Sequence, residues 1–136
     1  MYSKIIVPMA LNHGVSGESL AVARQLLSPG GEIIGLHVYE QPQGSVSTYL
    51  DEGTVRAAFE QAQSDLEARL ADHPDVTPTL LKGHSGRTIV DHAAEVGADC
   101  IVIASHKPDL RDFFLGSTAA RVVRHAPCAV HITRTG

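Results

Sequence analysis

The chain has 136 residues and a net charge of −4, a length that suits one hydrophobic core rather than two, so we expect one domain over residues 1–136. Its 43% hydrophobic and 19% charged residues are typical of a folded globular protein and exclude a disordered chain. The Lys and Arg residues are scattered, which argues against nucleic acid as a partner. The sequence shows no signal-peptide pattern and no run of the ~20 apolar residues that span a bilayer. We therefore expect a cytoplasmic protein that does not bind a membrane.

The first third of the chain predicts a strand, a helix and a second strand. KIIVPMA (4–10) is apolar on consecutive residues, which is typical of a strand covered on both faces of a parallel sheet. Ser16 can cap a helix that is followed by the turn Pro29-Gly30-Gly31. Its apolar stripe consists of Leu20, Ala23, Leu26 and Leu27. EIIGLHVYE (32–40) is the second strand.

The middle of the chain predicts a loop, a long helix and a weak strand. Residues 41–53 are rich in Gly, Ser, Pro and Gln without periodicity, which fits either a flap over one edge of the sheet or a disordered surface loop. The helix after it has one apolar face, formed by Val55, Ala58, Phe59, Ala62, Leu66 and Leu70. TPTLLKG (77–83) contains Pro78, which has no N–H to donate to a sheet, so this segment predicts only a short strand near an edge.

The last third predicts two more helices and two more strands. Ser85 can cap the third helix and Gly97 is placed to end it. Its inward residues are Ile89, Val90, Ala93 and Val96. DCIVIAS (99–105) is again apolar on consecutive residues, and the fourth helix runs from Ser117 to His125, where Pro127 stops it before the strand AVHIT (129–133).

This alternation of strands and helices predicts a doubly wound α/β domain, with a parallel sheet, right-handed crossovers and helices on both faces. In such a sheet, ligands bind beyond the carboxyl ends of the strands, where the strand order reverses. Three segments can meet at that edge: the loop after Pro8, the end of the second strand near Val38, and the connection from Ala104 to Gly116.

The start of the last helix, Gly116-Ser117-Thr118, has the composition of an anion site. The first turn of a helix presents unpaired backbone N–H groups and the positive end of the helix dipole, and Gly116 allows an anion to approach without a Cβ in the way. Two hydroxyls can add donors. The alternative is a plain helix cap, in which the hydroxyl serves only the helix itself.

The preceding segment, ASHKPDLRDF (104–113), carries His106, Lys107 and Arg111 toward the same edge, which suits a clamp on a di- or triphosphate. Its alternative is a solvated loop with internal ion pairs.

Known enzyme motifs are missing: there is no GxxxxGK[ST], no GxGxxG after the first strand and no GxSxG, and GHSGRT (83–88) has the wrong spacing for a phosphate loop. We therefore predict no catalytic residues and at most slow hydrolysis of a bound nucleotide.

The cysteines and histidines give no sign of a metal or redox site. Cys100 and Cys128 lack CxxC spacing and lie in or beside apolar runs, which predicts buried free thiols. The eight histidines show neither HExxH nor finger spacing, so no metal site is predicted.

These segments together resemble the universal stress proteins, the small UspA-like α/β domains. The resemblance covers essentially the whole chain and rests on IIVPM, LHVYE, ADCIVIASHKPD and LGSTAARVVRHAPCAVHITR. It implies a five-stranded parallel sheet in the order 3-2-1-4-5 and a homodimer joined through the last strand, Ala129 to Thr133. It also implies that ATP, with Mg²⁺ as a companion ion, is the cofactor of those members that bind nucleotide.

The same resemblance implies a set of binding residues. Pro8 and Val38 would border adenine, and the last helix start would cradle phosphate. The full set is Pro8, Met9, Ala10, Val38, Ala104, His106, Lys107, Gly116, Ser117 and Thr118.

Several of these positions depart from the ATP-binding pattern. Ala10 stands where a ribose-binding Asp is expected, Ala104 and Lys107 replace two glycines, and the spacing to Gly116 is one residue short. Lys107 can either contact phosphate or block the approach that a glycine would permit. ASHKPD is similar to a subgroup pattern, ASH-x-PD, that is compatible with nucleotide. Two functions remain as hypotheses: a stress-response module that binds adenine nucleotide and a partner protein, and a nucleotide-independent regulator with a degenerate pocket. A nucleotidyl-transfer enzyme is disfavoured because MALNHGVSG lacks the SGGxDS pattern.

Overall fold

The computed structural model describes residues 1–11, 17–40, 51–105 and 115–134, along which strands and helices alternate. The strands are β1 (Tyr2–Pro8), β2 (Leu27–Tyr39), β3 (Val76–Lys82), β4 (Cys100–Ser105) and β5 (Ala129–Arg134). The helices are α1 (Gly17–Leu26), α2 (Glu52–Arg69), α3 (Ser85–Val96) and α4 (Ser117–His125). The five strands form one parallel sheet in the order β3-β2-β1-β4-β5, which confirms the predicted fold class and strand order.

The core lies in two layers, one on each face of this sheet. On one face, Ile5, Val7 and Val102 of the central strands pack against Leu20 of α1 and Leu66 of α2. On the other face, the alternate residues of the same strands pack against α3 and α4. Because β1 and β4 are covered on both faces, their residues are buried consecutively, as their apolar runs predicted.

The start of β2 differs from the prediction. The strand begins at Leu27, five residues before the predicted Glu32, so Leu27 belongs to the sheet rather than to the stripe of α1. Tyr2 pairs with Leu27 and Lys4 with Glu32, so the residues between them form an irregularity within the strand. Glycine at position 31 allows β2 to come close to β1 here, since a Cβ on Gly31 would lie 2.8 Å from the carbonyl oxygen of Ser3. Pro29, Gly30 and Gly31 therefore lie within β2 as an irregularity rather than in a turn before it.

Two helix ends also refine the sequence analysis. Gly97 ends α3 in the left-handed region, with φ 70°, as predicted. Ser85 is not the cap of that helix: His84 occupies the cap position, and Ser85 is the first helical residue. Ser16, the predicted cap of α1, lies outside the described residues. α4 runs from Ser117 to His125 as predicted.

The two thiols differ in burial. Cys100 is buried in the core, and burial raises its pKa to about 11, which keeps it protonated at neutral pH. Cys128 is only half-buried, so the prediction of burial holds for one of the two. Within the described residues, no helix combines the length and apolar character needed to cross a membrane.

Asp99 ties the start of β4 to the start of β1. Its carboxylate accepts hydrogen bonds from the backbone N–H and hydroxyl of Ser3, at 2.9 and 3.0 Å, and from the N–H of Lys4 at 3.0 Å. These donors, the Ser3 N–H foremost, lower the pKa of Asp99. Its folded pKa therefore lies below the unfolded value near 3.9, so its stabilising effect is complete above that value and is lost as the pH falls through the folded pKa.

We expect Asp99→Asn to flatten the acid side of the stability profile. The free energy of unfolding should decrease less steeply between about pH 5 and pH 2 than in the unsubstituted protein, because one shifted carboxylate has been removed. Urea titrations across this pH range measure the slope. Asp91→Asn is the matched control, since Asp91 is an exposed carboxylate on α3. An equal flattening by both substitutions would contradict the role of Asp99.

Candidate functional site

A cleft of about 1050 Å³ opens at the carboxyl edge of the sheet, where β1, β2 and β4 end. Its floor is apolar, formed by buried residues at the strand ends: Met9, Leu36, Val38 and Ile103. α2 forms one wall, and the first turns of α3 and α4 form another. This volume is ample for a ligand of nucleotide size.

The structure brings most of the predicted site residues to this one cleft. Those that line it are Pro8, Met9, Ala10, Val38, Ala104, Gly116, Ser117 and Thr118. His106 and Lys107 lie outside the described residues, as does most of the predicted flap, residues 41–50. The strand ends and the last helix therefore converge as the sequence predicted, and the contribution of the ASHKPD loop stays a prediction.

The N-terminus of α4 faces the cleft, and among the described residues no side chain caps it. Gly116 occupies the cap position with extended backbone, and no side chain of the cap residue accepts from the first turn. The first helical hydrogen bond runs from the N–H of Ala120 to the carbonyl of Gly116 at 2.9 Å, so the amides of residues 117–119 precede it. Ser117 is exposed, and the helix entrance is therefore accessible from the cleft.

Two other helix starts, those of α2 and α3, are satisfied by carboxylates of the chain itself. Asp51 caps α2 by accepting from the N–H of Thr54 at 2.6 Å. Glu40, directly after β2, accepts from the N–H of Ser85 at 2.9 Å and from the Ser85 hydroxyl, and both donors lower the pKa of Glu40. The first turn of α3 therefore already holds an anion, which explains physically why GHSGRT is not a free phosphate loop.

The hydrogen bonds between β1 and β2 stop at the floor of the cleft. The last one runs from the N–H of Met9 to the carbonyl of Leu36 at 2.8 Å. Residues of a parallel strand turn their backbone groups alternately to its two neighbours, and the carbonyl of Tyr39 accepts from Gly83 on the β3 side. The N–H and carbonyl of Val38 therefore point toward the β1 side, where the described part of β1 has ended.

His37 lies at this point and was not among the predicted site residues. Its Nδ1 is 2.7 Å from the carbonyl oxygen of Met9. It also lines the cleft. The available signal was its position beside Val38, since the logic that placed Val38 at the carboxyl edge applies equally to its neighbours, including Glu40.

The described lining of the cleft is acidic. It includes the carboxylates of Glu18, Glu40 and Asp65, and among the described residues it includes no Lys or Arg. Asp65 accepts from the amide of Gln61 at 2.9 Å, and Glu40 is bound to Ser85. A polyanionic ligand would thus find its main attraction at the amides of α4, with any further positive charge coming from a cation or from residues 106–114.

Comparison with known proteins relates the whole chain to one family. The model of the universal stress protein family matches residues 1–134. Universal stress protein G of Escherichia coli O157:H7 is 34% identical over an alignment of 143 residues, gaps included, that covers 98% of this chain and 100% of that protein. Its counterpart in Salmonella typhimurium is 33% identical with the same coverage.

Solved structures show the same fold. The structure of the protein MJ0577 superposes with a TM-score of 0.79 at 23% identity, covering 100% of this chain and 98% of that one. A universal stress protein in complex with cAMP gives a TM-score of 0.62 at 22% identity, covering 99% and 98%. The universal stress protein of Archaeoglobus fulgidus in complex with dAMP gives 0.56 at 21% identity, covering 96% and 97%.

Proposed function

This chain belongs to the universal stress protein family, and we propose that it binds ATP or a related adenine nucleotide in the cleft at the carboxyl edge of its sheet. In this proposal the protein acts in the stress response by binding and by contact with partner proteins rather than by rapid catalysis. One observation carries the ligand assignment: the start of α4 and the backbone edge of Val38, which have no hydrogen-bond partner for their outward groups among the described residues, border the same cleft with an apolar floor.

The phosphates would lie at the start of α4. The amides of Ser117 and Thr118 and their hydroxyls supply donors, and the helix dipole favours negative charge there. The starts of α2 and α3 are already bound by Asp51 and Glu40, so they compete poorly for the same anion. The charges of His106 and Lys107 in the preceding segment suit further phosphate contacts, with the alternative that Lys107 blocks the approach a glycine would permit.

The base would lie at Val38. Its N–H and carbonyl form a donor and an acceptor side by side, which match the N1 acceptor and the 6-amino donor of adenine. Guanine presents a donor at N1 and an acceptor at position 6, so it would leave both backbone groups of Val38 unpaired. Family members that were solved with cAMP and dAMP support an adenine nucleotide as the ligand class.

Ala10 weakens the ribose part of this site. It lines the cleft at the position where the family resemblance expects an Asp, and a methyl group accepts no hydrogen bond. The missing contact lowers the affinity by an amount that corresponds to about 1 to 3 kcal/mol. Mg²⁺ would be carried by the phosphates of the nucleotide, since among the described residues no cluster of three or more His, Cys, Asp or Glu side chains is placed to hold a metal ion.

Isothermal titration of the full chain with Mg²⁺ and ATP, GTP or inorganic triphosphate tests the proposal. We expect ATP to bind about 100-fold more tightly than GTP, because only adenine satisfies both backbone groups of Val38. Ala10→Asp should tighten ATP binding about tenfold by restoring the ribose acceptor. No heat and no thermal shift with millimolar ATP, in both the unsubstituted protein and Ala10→Asp, would remove the nucleotide from the function.

The alternative is a regulator that works without nucleotide, and Ala10 is the observation that favours it. Ser117→Tyr separates the two functions, because Ser117 is exposed at the helix start and a ring there blocks phosphate without disturbing the core. Val123→Tyr is the matched control on the outer side of α4, where Val123 is 46% exposed. A cellular phenotype that persists in Ser117→Tyr favours the nucleotide-independent regulator.

We also propose that two copies of the chain pair through β5, as the family resemblance implies. β5 is an edge strand of the sheet, so one side of its backbone has no partner strand within the described chain. The molar mass in solution, measured by light scattering, tests the pairing.

A further inference from the structure

We propose that His37 is a positioning residue: by holding the carbonyl of Met9, it ends the β1–β2 ladder and keeps the N–H of Val38 free for a base. The functional consequence rests on the proposed nucleotide site. The structural part concerns hydrogen bonds within the chain and can be tested without a ligand.

The geometry of a parallel ladder shows what His37 replaces. After the bond from Met9 N–H to Leu36 carbonyl, the next bond of a continuing ladder would run from Val38 N–H to the carbonyl of Met9. In this structure that carbonyl is bound by Nδ1 of His37 at 2.7 Å. A carbonyl oxygen can accept two hydrogen bonds, but among the described residues this one is bonded by His37 and not by the N–H of Val38.

The bond also fixes the state of the ring. A carbonyl oxygen only accepts, so Nδ1 of His37 must carry the proton. In the neutral ring, Nε2 then has no proton.

The side chain of Met9 keeps this carbonyl within reach. Met9 is 5% exposed, and its sulfur lies where a side chain on Gly35 would collide, 3.0 Å from the position of a Cβ. The residue is therefore anchored by packing under β2. We expect loss of the imidazole to let the carbonyl turn toward Val38, while the packed side chain of Met9 keeps the floor of the cleft in place.

Substitutions at His37 distinguish positioning from simple packing. The amide nitrogen of Asn can occupy the place of Nδ1, whereas that of Gln reaches the place of Nε2. We expect His37→Leu and His37→Gln to weaken AMP and ATP binding about tenfold, while His37→Asn stays within about twofold of the unsubstituted protein. Binding of inorganic triphosphate should be unchanged in all three variants, because it does not use Val38.

Two measurements by nuclear magnetic resonance test the inference without nucleotide. The ¹⁵N shifts of His37 should report a proton on Nδ1. The amide of Val38 should exchange with solvent faster than that of Leu36, and it should become protected in His37→Leu, where the ladder can extend by one bond.

The outcomes separate this inference from the proposed function. A proton on Nε2 alone, or a protected Val38 amide in the unsubstituted protein, overturns the role of His37 whatever the ligand. A folded His37→Leu variant with full adenine affinity also overturns it. Failure of the unsubstituted protein to bind any adenine nucleotide refutes the proposed function, and the resonance measurements then still decide what His37 does.

Discussion

Gly116→Asp is expected to lower the affinity for ATP about 100-fold while leaving the protein slightly more stable. The new carboxylate would sit at the cap of α4, accept from the amides of its first turn and repel phosphate at close range. The site tolerates the change, because the backbone at Gly116 is extended and a Cβ there meets no atom within 4 Å. The gain in the free energy of unfolding should be about 0.5 kcal/mol, since Asp is a somewhat better cap than Gly.

Gly116→Asn separates charge from capping. Asn can accept from the same amides, so it should give a similar stability, but without a charge it should lower the ATP affinity far less. Urea denaturation without ligand and titration with ATP and adenosine measure the two effects. Adenosine has no phosphate, so its binding should hardly change. Full ATP affinity in Gly116→Asp would place the phosphates elsewhere, even if the nucleotide itself is bound.

The fold could be predicted because its signals are local. Consecutive apolar residues marked β1 and β4, and the 3.6-residue pattern marked α2, each within a single segment of the chain. The start of β2 was misplaced for the opposite reason. Pro29-Gly30-Gly31 is a strong turn signal by itself, but pairing of Leu27 with Tyr2 on another strand overrides it.

The candidate site likewise has features that are local in the sequence and features that depend on contacts between distant residues. The start of α4 was visible as Gly116-Ser117-Thr118, since an uncapped helix start and its glycine are neighbours in sequence. The bonds from Glu40 to Ser85 and from His37 to Met9 join residues that are far apart in the chain. Their partners depend on strand register, which periodicity does not give. The local sequence therefore predicts Ser85 as a cap, whereas in the structure it is bonded to the carboxylate of Glu40, directly after β2.

Helix α2 matters for function because it forms a wall of the cleft while contributing few residues to the core. Within its bounds, only Ala62 and Leu66 are buried. Nearer its start, Phe59 is half-buried against Tyr39, with the ring centroids 5.9 Å apart, and Lys82 lies over the Phe59 ring at 4.6 Å. Leu66 is therefore the one large aliphatic side chain buried within α2, with Leu70 buried at its C-cap, so the position of the wall depends strongly on Leu66.

Leu66→Ala is accordingly expected to lower the free energy of unfolding by about 3 kcal/mol. Leu66 is 0% exposed and packs in the cluster that also holds Leu20 and Val76. Its truncation removes buried methyl groups and leaves a cavity that the rigid sheet cannot close. Chemical denaturation with urea measures the loss.

Two control substitutions show whether the loss comes from packing at this position. Leu66→Met keeps most of the volume and should cost less than about 1.5 kcal/mol, and Glu67→Ala, on the exposed side of the same turn, should change the stability by less than about 0.5 kcal/mol. Loss of packing at Leu66 should raise amide hydrogen exchange most along α2. Because Ala62 and Asp65 of α2 line the cleft, the ATP affinity should fall as well. A loss of stability with unchanged exchange in α2 would show instead that the helix is held by its contacts at Phe59.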